Sequence, residues 1–411
     1  IRDRRCKNFY TLGILFWLYS RPLETTMAWL GEKFAKRPQI AEANQKALQA
    51  GYNAGDIHEL FQGRYEVKPC EVLPKGTYRN IMGHEALAMG LLAGSRLAGL
   101  KLFCGSYPIT PATTILEALS SYKEFGVMTF QAEDEIAAIC TAIGASYAGA
   151  LGVTTTSGPG LALKTEAMGL AMMVELPLVI CDVQRGGPST GLPTKTEQAD
   201  LLQAVFGRNS EAPMPVLACS TPSDAFETAI EACRIAVQYM TPVIVLSDGY
   251  IANGSEPWRL PHESELKPFP VDFMTEAPPG GFLPYGRDDK LARPWVKPGT
   301  PHLEHRIGGL EKAHQTGNIS YDPQNHEFMV HMRHNKVMGV RETIPTPEVM
   351  GPEQGEVLVL GWGSTYGAIA SATEACMRDG KPVASVHMRH IWPLPKGLDA
   401  IFGRYKAVLV P

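Results

Sequence analysis

Residues 152–187, GVTTTSGPGLALKTEAMGLAMMVELPLVICDVQRGG, decide the fold of this chain of 411 residues. The apolar run Gly152–Thr156 predicts a buried strand, and Leu176–Val183 predicts another. Residues Leu161–Glu175, between the two runs, have the length and the small or apolar side chains of a buried helix. A strand, a helix and a strand in this order predict two parallel strands joined by a right-handed crossover.

The same alternation extends on both sides of this unit, from Leu100 to Asp248. Further candidate strands are Leu100–Gly105, Val127–Gln131, Val216–Cys219 and Pro242–Ser247, and further candidate helices are Thr113–Phe125, Glu133–Ala148 and Ser223–Tyr239. Repeated units of this kind predict an α/β fold whose parallel sheet is covered by helices on both faces. Ligands bind outside the carboxyl ends of such strands, so functional residues should directly follow them.

The remaining parts of the chain are less regular. Residues 1–60 indicate the end of a domain that starts upstream, and residues 61–79, which contain Pro and Gly, indicate a linker. Pro and Gly are also dense in the first half of residues 256–350, which we expect to be an excursion between domains. Residues 351–411 begin a second βαβ unit. The sequence starts with Ile1 and stops just after an apolar run, so we expect a piece of a longer protein.

The composition excludes some classes of partner. With 38 basic against 42 acidic residues, the formal charge of −4 provides no basic surface for a nucleic acid. The longest apolar run near the start, Leu12–Tyr19, is far shorter than the roughly 20 residues of a membrane-spanning helix. We therefore expect small molecules or proteins as partners, and neither a nucleic acid nor a membrane.

The eight cysteines are scattered through apolar surroundings without a CxxC pair. Thiols distributed in this way predict reduced core side chains and a cytoplasmic location. They have no metal-ligand spacing, so no metal site is predicted within the chain. An iron–sulfur cluster built from distant cysteines remains an alternative, because about four thiolates brought together by the fold would suffice.

The first candidate site motif is YPITP, residues 107–111, directly after the first strand. Its two prolines restrict the backbone on either side of Thr110, so that a rigid turn presents the Thr110 hydroxyl group to a ligand. The alternative is an ordinary turn in which Thr110 only caps the next helix.

The second motif is QAEDE, residues 131–135, at the start of a helix. Acidic residues in a first turn interact favourably with the helix dipole, which is the simplest explanation for them. However, the residues from Ile136 to Gly149 are nearly all small or apolar, so this helix is buried around most of its circumference. A carboxylate at its first turn is partly desolvated and needs a protein or ligand partner.

The third motif is TSGPG, residues 156–160, after the strand Gly152–Thr156. Its glycines allow a ligand to approach the backbone closely, and the following helix offers free N–H groups. An ordinary tight turn is the alternative.

The fourth motif is QRGGPSTGLPT, residues 184–194. The guanidinium group of Arg185 follows a buried strand and precedes a loop of small residues, a position from which it can bind a carboxylate with two parallel hydrogen bonds. The alternative is a salt bridge that only orders the loop.

A competing motif is GWGSTYG, residues 361–367, which follows an apolar strand and opens a helix as a dinucleotide site does. It reads GxGxxxG instead of GxGxxG, and no acidic residue ends the next strand, Ser385–His387. A dehydrogenase that binds NAD here remains an alternative, as does a subunit without catalytic residues.

Together, the strings YPITP, EDEIAA, TSGPG and QRGGPSTGLPT resemble the alpha subunit of 2-oxoacid:ferredoxin oxidoreductases, and the resemblance extends through nearly the whole chain. It implies an α/β fold, with a thiamine-diphosphate-binding domain of the pyrimidine type followed by the start of a transketolase C-terminal-like domain. The implied parts are residues 1–60 as the end of a gamma domain, 61–79 as a linker, 80–255 as the pyrimidine-binding domain, 256–350 as an interdomain excursion and 351–411 as the start of the transketolase C-terminal-like domain.

The resemblance also implies roles for single residues. Glu135 matches the glutamate that hydrogen-bonds the aminopyrimidine ring of thiamine diphosphate, and Arg185 and Thr110 match the residues that bind and activate the 2-oxoacid. These three are the candidate catalytic residues. The remaining candidates are Ser157, Gly158 and Pro159 for the cofactor and Tyr107, Ser189 and Thr190 for the substrate.

The chain has no GDG motif followed by an Asn, the motif that holds Mg²⁺ and the diphosphate, and Ser247–Tyr250 is the nearest approach. The resemblance therefore implies a beta subunit that carries Mg²⁺ and a [4Fe–4S] cluster, with thiamine diphosphate at the shared interface of a dimer of alpha–beta heterodimers. Coenzyme A and ferredoxin are the implied co-substrate and electron partner. The gamma-before-alpha order and the string PATTILE, residues 111–117, favour 2-oxoglutarate over pyruvate or branched-chain 2-oxoacids.

Overall fold

The structure is a computed structural model that describes residues 6–58, 63–68 and 70–411. The predicted boundary near residue 60 therefore lies outside the described residues. The chain forms two compact units, Ile1–Gly76 and Thr77–Pro411. No helix in the described residues is both long and apolar enough to cross a lipid bilayer.

The described part of the first unit contains helices α1 (Lys7–Leu18), α2 (Glu24–Lys33) and α3 (Pro38–Ile57). Helices α1 and α3 pack with their backbones in contact at glycines. A Cβ atom on Gly13 would lie 2.0 Å from the carbonyl oxygen of Leu48. The described residues of the predicted linker before residue 78, by contrast, have no helix or strand.

The second unit contains all the described strands and the remaining described helices. The strands are β1 (Tyr78–Met82), β2 (Leu102–Ser106), β3 (Met128–Gln131), β4 (Leu151–Thr156), β5 (Leu178–Gln184), β6 (Val216–Ala218), β7 (Pro242–Asp248), β8 (Ser255–Arg259), β9 (Val349–Met350), β10 (Gly355–Trp362), β11 (Val383–Met388), β12 (His390–Trp392) and β13 (Tyr405–Leu409). The helices are α4 (Gly83–Leu97), α5 (Thr113–Ser120), α6 (Glu135–Tyr147), α7 (Gly158–Leu163), α8 (Thr165–Val174), α9 (Leu201–Phe206), α10 (Asp224–Tyr239), α11 (Gly249–Asn253), α12 (Pro323–Gly339), α13 (Tyr366–Arg378) and α14 (Leu398–Phe402).

The central sheet has seven strands in the order β12, β6, β7, β5, β4, β2, β3, and every neighbouring pair except β12 with β6 is parallel. Val179 of β5 packs in the core formed with α4, α5 and α10, whereas Ile180 packs with α6 and α8 on the opposite face. A strand that is buried on both faces needs a continuous apolar run, which is why the sequence pattern predicts it. The predicted α/β fold is confirmed.

The prediction of a single helix over Leu161–Glu175 is wrong in one respect. The chain forms two helices there, α7 and α8, which meet at Lys164. Periodicity alone does not reveal the break, because no Gly or Pro between Leu161 and Glu166 marks it.

A second sheet has the strand order β13, β10, β11, β9, and only β9 is antiparallel to its neighbour. After β11 the chain leaves this sheet, and His390 and Trp392 of β12 pair with β6 at the edge of the central sheet. The chain returns to the second sheet as β13. Residues 351–411 thus contribute β12 to the central sheet and three of the four strands of the second sheet, whose fourth strand, β9, precedes them.

Residues 256–350, expected to be an excursion between domains, contain α12 and long stretches without a helix or strand. Some of their apolar side chains are nevertheless buried. Phe269, Trp295 and Ile344 belong to the same core as α4 and α10. The segment therefore covers one face of the sheet domain.

A buried ion cluster joins this segment to the end of α8. The Glu175 carboxylate, with 2% of the side chain exposed, accepts hydrogen bonds from both terminal nitrogens of Arg287, at 2.6 and 2.7 Å, and from Lys336. Burial alone would raise the pKa of Glu175, but the charges of Lys336 and Arg287 outweigh it and lower the pKa to about 2.

We expect Glu175→Ala to destabilise the protein by about 3–5 kcal/mol, because it leaves two buried cations without their shared partner. Since the folded-state pKa of Glu175 is about 2 and its ordinary value is 4.5, the carboxylate contributes stability above pH 4.5. That contribution is lost as the pH falls towards 2. Urea unfolding at several pH values measures both effects. Glu166→Ala, an exposed position on α8, is the matched control, and an equal cost for both variants would contradict the prediction.

Candidate functional site

The four sequence motifs lie at one edge of the central sheet. Strands β2, β4 and β5 are parallel neighbours, so the loops after them begin side by side. Tyr107 and Thr110 follow β2, Ser157 follows β4 and Arg185 follows β5. Tyr107 is half-buried and Thr110 is exposed.

Glu135 is the first residue of α6. The carboxylate of Asp134 caps this helix by accepting a hydrogen bond from the Ala137 N–H at 2.7 Å. Glu135 itself is buried, with 9% of its surface exposed, and its backbone carbonyl accepts a hydrogen bond from Lys164 Nζ at 2.8 Å. In the described part of the chain no group donates a hydrogen bond to its carboxylate, which is therefore available to a ligand.

The TSGPG loop packs directly against Glu135. A Cβ atom on Gly160 would lie 2.1 Å from Thr156 Oγ1 and 2.9 Å from Glu135 Cγ, so only glycine fits there. The hydroxyl group of Ser157 is fully buried and has no hydrogen-bond partner among the described residues. The structure thus brings the second and third motifs together, and the Glu135 carboxylate and the Ser157 hydroxyl group both lack a hydrogen-bond donor or partner among the described residues.

Arg185 joins the first and fourth motifs. Its guanidinium group is buried, and it donates hydrogen bonds to the carbonyl oxygens of Thr110, at 2.6 Å, and Thr190, at 3.0 Å. Its Nε–H group has no partner in the described part of the chain. Pro159 is half-buried beside these loops, Gly158 is buried, and Ser189 and Thr190 are exposed.

The loop after Arg185 folds back on itself and reaches the competing glycine motif. Gly186 pairs with Leu192, and Gln198 Nε2 donates a hydrogen bond to the Trp362 carbonyl oxygen at 3.2 Å. A Cβ atom on Gly363 would lie 2.7 Å from Gln198 Nε2. The amide of Gln198 therefore occupies the approach to this glycine that a dinucleotide pyrophosphate requires.

Two acidic residues at the site were missed from the sequence. Asp182 of β5 is fully buried, and neither of its carboxylate oxygens has a donor among the described residues. Burial and the neighbouring carboxyl group of Asp200 raise the pKa of Asp182, and burial also raises the pKa of Asp200. For Asp182, the sequence contains a signal that could have been recognised, namely a single acidic residue within an apolar strand.

These residues fit the aminopyrimidine part of thiamine diphosphate, because the buried Glu135 carboxylate lies against the TSGPG loop, which carries the unpaired hydroxyl group of Ser157. For the diphosphate part of the cofactor, the described residues provide fewer candidate binding groups. Within residues 6–58, 63–68 and 70–411, no group of three or more His, Cys, Asp or Glu side chains is arranged to hold a metal ion.

Comparison with known proteins assigns this arrangement to a class. The fold is that of a thiamine-diphosphate-binding α/β protein, and residues 93–322 match the family described as "Pyruvate flavodoxin/ferredoxin oxidoreductase, thiamine diP-bdg". The chain belongs to this family.

Two relatives and a solved structure agree with the family. The chain is 55% identical to "2-oxoglutarate oxidoreductase subunit KorA" of Mycobacterium tuberculosis, with 99% of this chain and 62% of the relative covered. It is 34% identical to "2-oxoacid:ferredoxin oxidoreductase 1, subunit alpha" of Aeropyrum pernix, with 98% and 63% covered. The chain thus spans about three fifths of the length of these two proteins.

The solved structure is "2-oxoglutarate:ferredoxin oxidoreductase from Magnetococcus marinus with 2-oxoglutarate, coenzyme A and succinyl-CoA bound". It matches with a TM-score of 0.89 and 35% identity, and the match covers 100% of this chain and 70% of that one. The resemblance inferred from the four sequence motifs is confirmed.

Proposed function

We propose that this chain is part of the alpha subunit of a 2-oxoglutarate:ferredoxin oxidoreductase. This enzyme oxidatively decarboxylates 2-oxoglutarate to an acyl-CoA, or carries out the reverse reductive carboxylation. The observation that carries the proposal is the free carboxylate of Glu135 beside the glycine-lined TSGPG loop, at the same sheet edge as the guanidinium group of Arg185.

Glu135 is proposed to hold the aminopyrimidine ring by a hydrogen bond and to exchange a proton with its ring nitrogen at a carboxylate oxygen. Ser157, Gly158 and Pro159 would line the rest of this subsite, where the absence of a Cβ atom at Gly158 makes room for the Asp200 carboxylate. Bound thiamine diphosphate supplies a carbon nucleophile for the 2-oxo group of the substrate.

Arg185 is proposed to bind the substrate carboxylate. Its two hydrogen bonds to carbonyl oxygens hold the guanidinium group in place, and its Nε–H group, which has no partner among the described residues, would donate to the anion. Thr110 is proposed to assist at the 2-oxo group. Tyr107, Ser189 and Thr190 would complete the substrate subsite, because they lie on the two loops that Arg185 joins.

The proposed partner is a separate beta subunit that supplies Mg²⁺, the diphosphate site and a [4Fe–4S] cluster, in a dimer of alpha–beta heterodimers. The names of the relatives, which call them subunits, support this part of the proposal. Ferredoxin would accept the electrons and coenzyme A the acyl group. A cytoplasmic location is proposed because all eight thiols are unpaired, as in a reducing compartment.

Turnover by the complete complex tests both the activity and the substrate. We expect kcat/KM for 2-oxoglutarate to exceed the values for pyruvate and 2-oxoisovalerate by about tenfold or more, because an enzyme specific for one acid binds its transition state more tightly than those of the analogues. The measurement follows reduction of ferredoxin in the presence of coenzyme A and thiamine diphosphate. A preference for pyruvate would make the alternative substrate correct. Absence of thiamine-dependent turnover with all three acids, together with tight NAD binding, would favour a dehydrogenase.

A further inference from the structure

A lysine lies beneath Glu135 with no exposure to solvent. Lys164 is located where α7 ends and α8 begins, and 0% of its surface is exposed. Its ammonium group donates a hydrogen bond to the backbone carbonyl oxygen of Glu135 at 2.8 Å.

Protein stability does not explain a lysine at this position. Burial lowers the pKa of Lys164 to about 8, although the Glu135 carboxylate opposes the shift. A base whose pKa is lowered on folding destabilises the folded state below that pKa, because its ammonium group has left water. An apolar side chain of similar size would avoid this cost. The ammonium group is therefore expected to have a role beyond folding.

The hydrogen-bond geometry indicates that role. The carbonyl that Lys164 holds belongs to the first residue of α6, at the end of the helix where backbone N–H groups lack partners in the preceding turn. The side chain of the same residue packs against Gly160, where a Cβ atom would lie 2.9 Å from Glu135 Cγ. Displacement of this peptide group would displace the carboxylate by a similar distance.

We propose that Lys164 is a positioning residue, whose ammonium group clamps the first peptide group of α6 and thereby holds the Glu135 carboxylate beside the TSGPG loop. This inference rests on the proposed function of Glu135. The titratable groups that face Lys164 are Glu135, Asp134 and Cys140 at the start of α6 and Cys104 on β2.

The chain contains a matched control. Lys312 is also buried, donates a hydrogen bond to the Met173 carbonyl oxygen at 2.8 Å, and has its pKa lowered by burial to about 8. The Lys312 ammonium group thus binds the end of α8 and makes no hydrogen bond to the site. Lys164→Met and Lys312→Met each remove one buried ammonium group and its hydrogen bonds to backbone carbonyl oxygens, but only the former releases α6.

The first test is hydrogen–deuterium exchange of the complete enzyme without thiamine diphosphate. In Lys164→Met, amides at residues 135–140 should exchange faster than in wild type, whereas in Lys312→Met they should not. This result does not depend on the proposed reaction. Unchanged exchange at these residues in Lys164→Met would show that no clamp exists, whatever the enzyme catalyses.

The second test is turnover. We expect Lys164→Met to lower kcat by about 10²-fold with little change in KM for the 2-oxoacid, because a misplaced catalytic group costs about that much. Lys312→Met should keep kcat within about twofold, since it lies outside the site. Equal losses in the two variants would overturn the inference. If the wild-type enzyme shows no thiamine-dependent turnover, the proposed function is contradicted. The hydrogen–deuterium exchange result then decides alone whether the clamp exists.

A third variant covers the case in which Lys164→Met does not fold. Lys164→Arg keeps the charge at all accessible pH values, whereas wild-type Lys164 loses its proton above pH about 8. We expect kcat of the wild type to fall above that pH and the fall to shift upwards by about one unit or more in Lys164→Arg. An identical alkaline limb in both proteins would contradict the proposed role.

Discussion

Glu135→Gln should abolish turnover of the complete enzyme and leave its fold intact. Removing a positioned proton-transfer group typically costs about 10²–10⁴-fold in rate, and an amide cannot accept the proton that the carboxylate accepts. The fold should survive because no group in the described residues donates to this carboxylate, and the backbone bond to Lys164 does not involve the side chain.

Proton exchange at the thiazolium carbon of bound thiamine diphosphate measures this loss directly. Exchange should be slow in Glu135→Gln and unchanged in Glu133→Gln, the matched control, because Glu133 is exposed and precedes the helix cap. Equal circular dichroism spectra would establish that both variants fold. If exchange in Glu135→Gln proceeds at the wild-type rate, Glu135 is not the group that contacts the pyrimidine ring.

Arg185→Ala should lower kcat/KM for the 2-oxoacid, chiefly through KM. Loss of one buried charged contact costs about 2–5 kcal/mol, which corresponds to roughly 30- to 4,000-fold. Two effects contribute, because the variant loses both the contact to the substrate carboxylate and the hydrogen bonds that fix the carbonyl oxygens of Thr110 and Thr190.

Arg185→Lys separates the two effects. Lysine keeps the positive charge but lacks the planar group that can hold two carbonyl oxygens, so its KM should lie between those of wild type and Arg185→Ala. Arg208→Ala is the control, since Arg208 also donates hydrogen bonds to backbone carbonyl oxygens, at the end of α9. Steady-state kinetics measure kcat and KM of each variant. Unchanged kcat and KM in Arg185→Ala would show that Arg185 does not bind the substrate.

The core of the sheet could be predicted from local patterns. Apolar runs place β4, β5 and β7 within two residues of their observed ends, because strands buried on both faces tolerate few polar residues. In contrast, the pairing of β12 with β6 could not be predicted. A strand of three residues carries too little periodicity, and its partner lies on a distant part of the chain.

The candidate site was predictable in part for the same reason. Motifs with Pro and Gly at fixed positions indicate loops, and parallel strands place those loops at one edge. The sequence thus predicts that Glu135 and Arg185 share an edge of the sheet. It does not predict that Gln198 fills the space beside Gly363, because that contact depends on the path of a loop with no regular structure.

The amino-acid sequence by itself determined the parallel α/β sheet, the four loops and their resemblance to a family. Burial on two faces and turn geometry constrain residues that are close together in the sequence, and each produces a recognisable residue pattern there. Only the tertiary structure decided which polar groups meet: the ammonium group of Lys164 with the Glu135 carbonyl, and Arg185 with the Thr110 carbonyl. These partners are 29 and 75 residues apart, and only the packing of the helices and loops around the sheet brings them within hydrogen-bond distance.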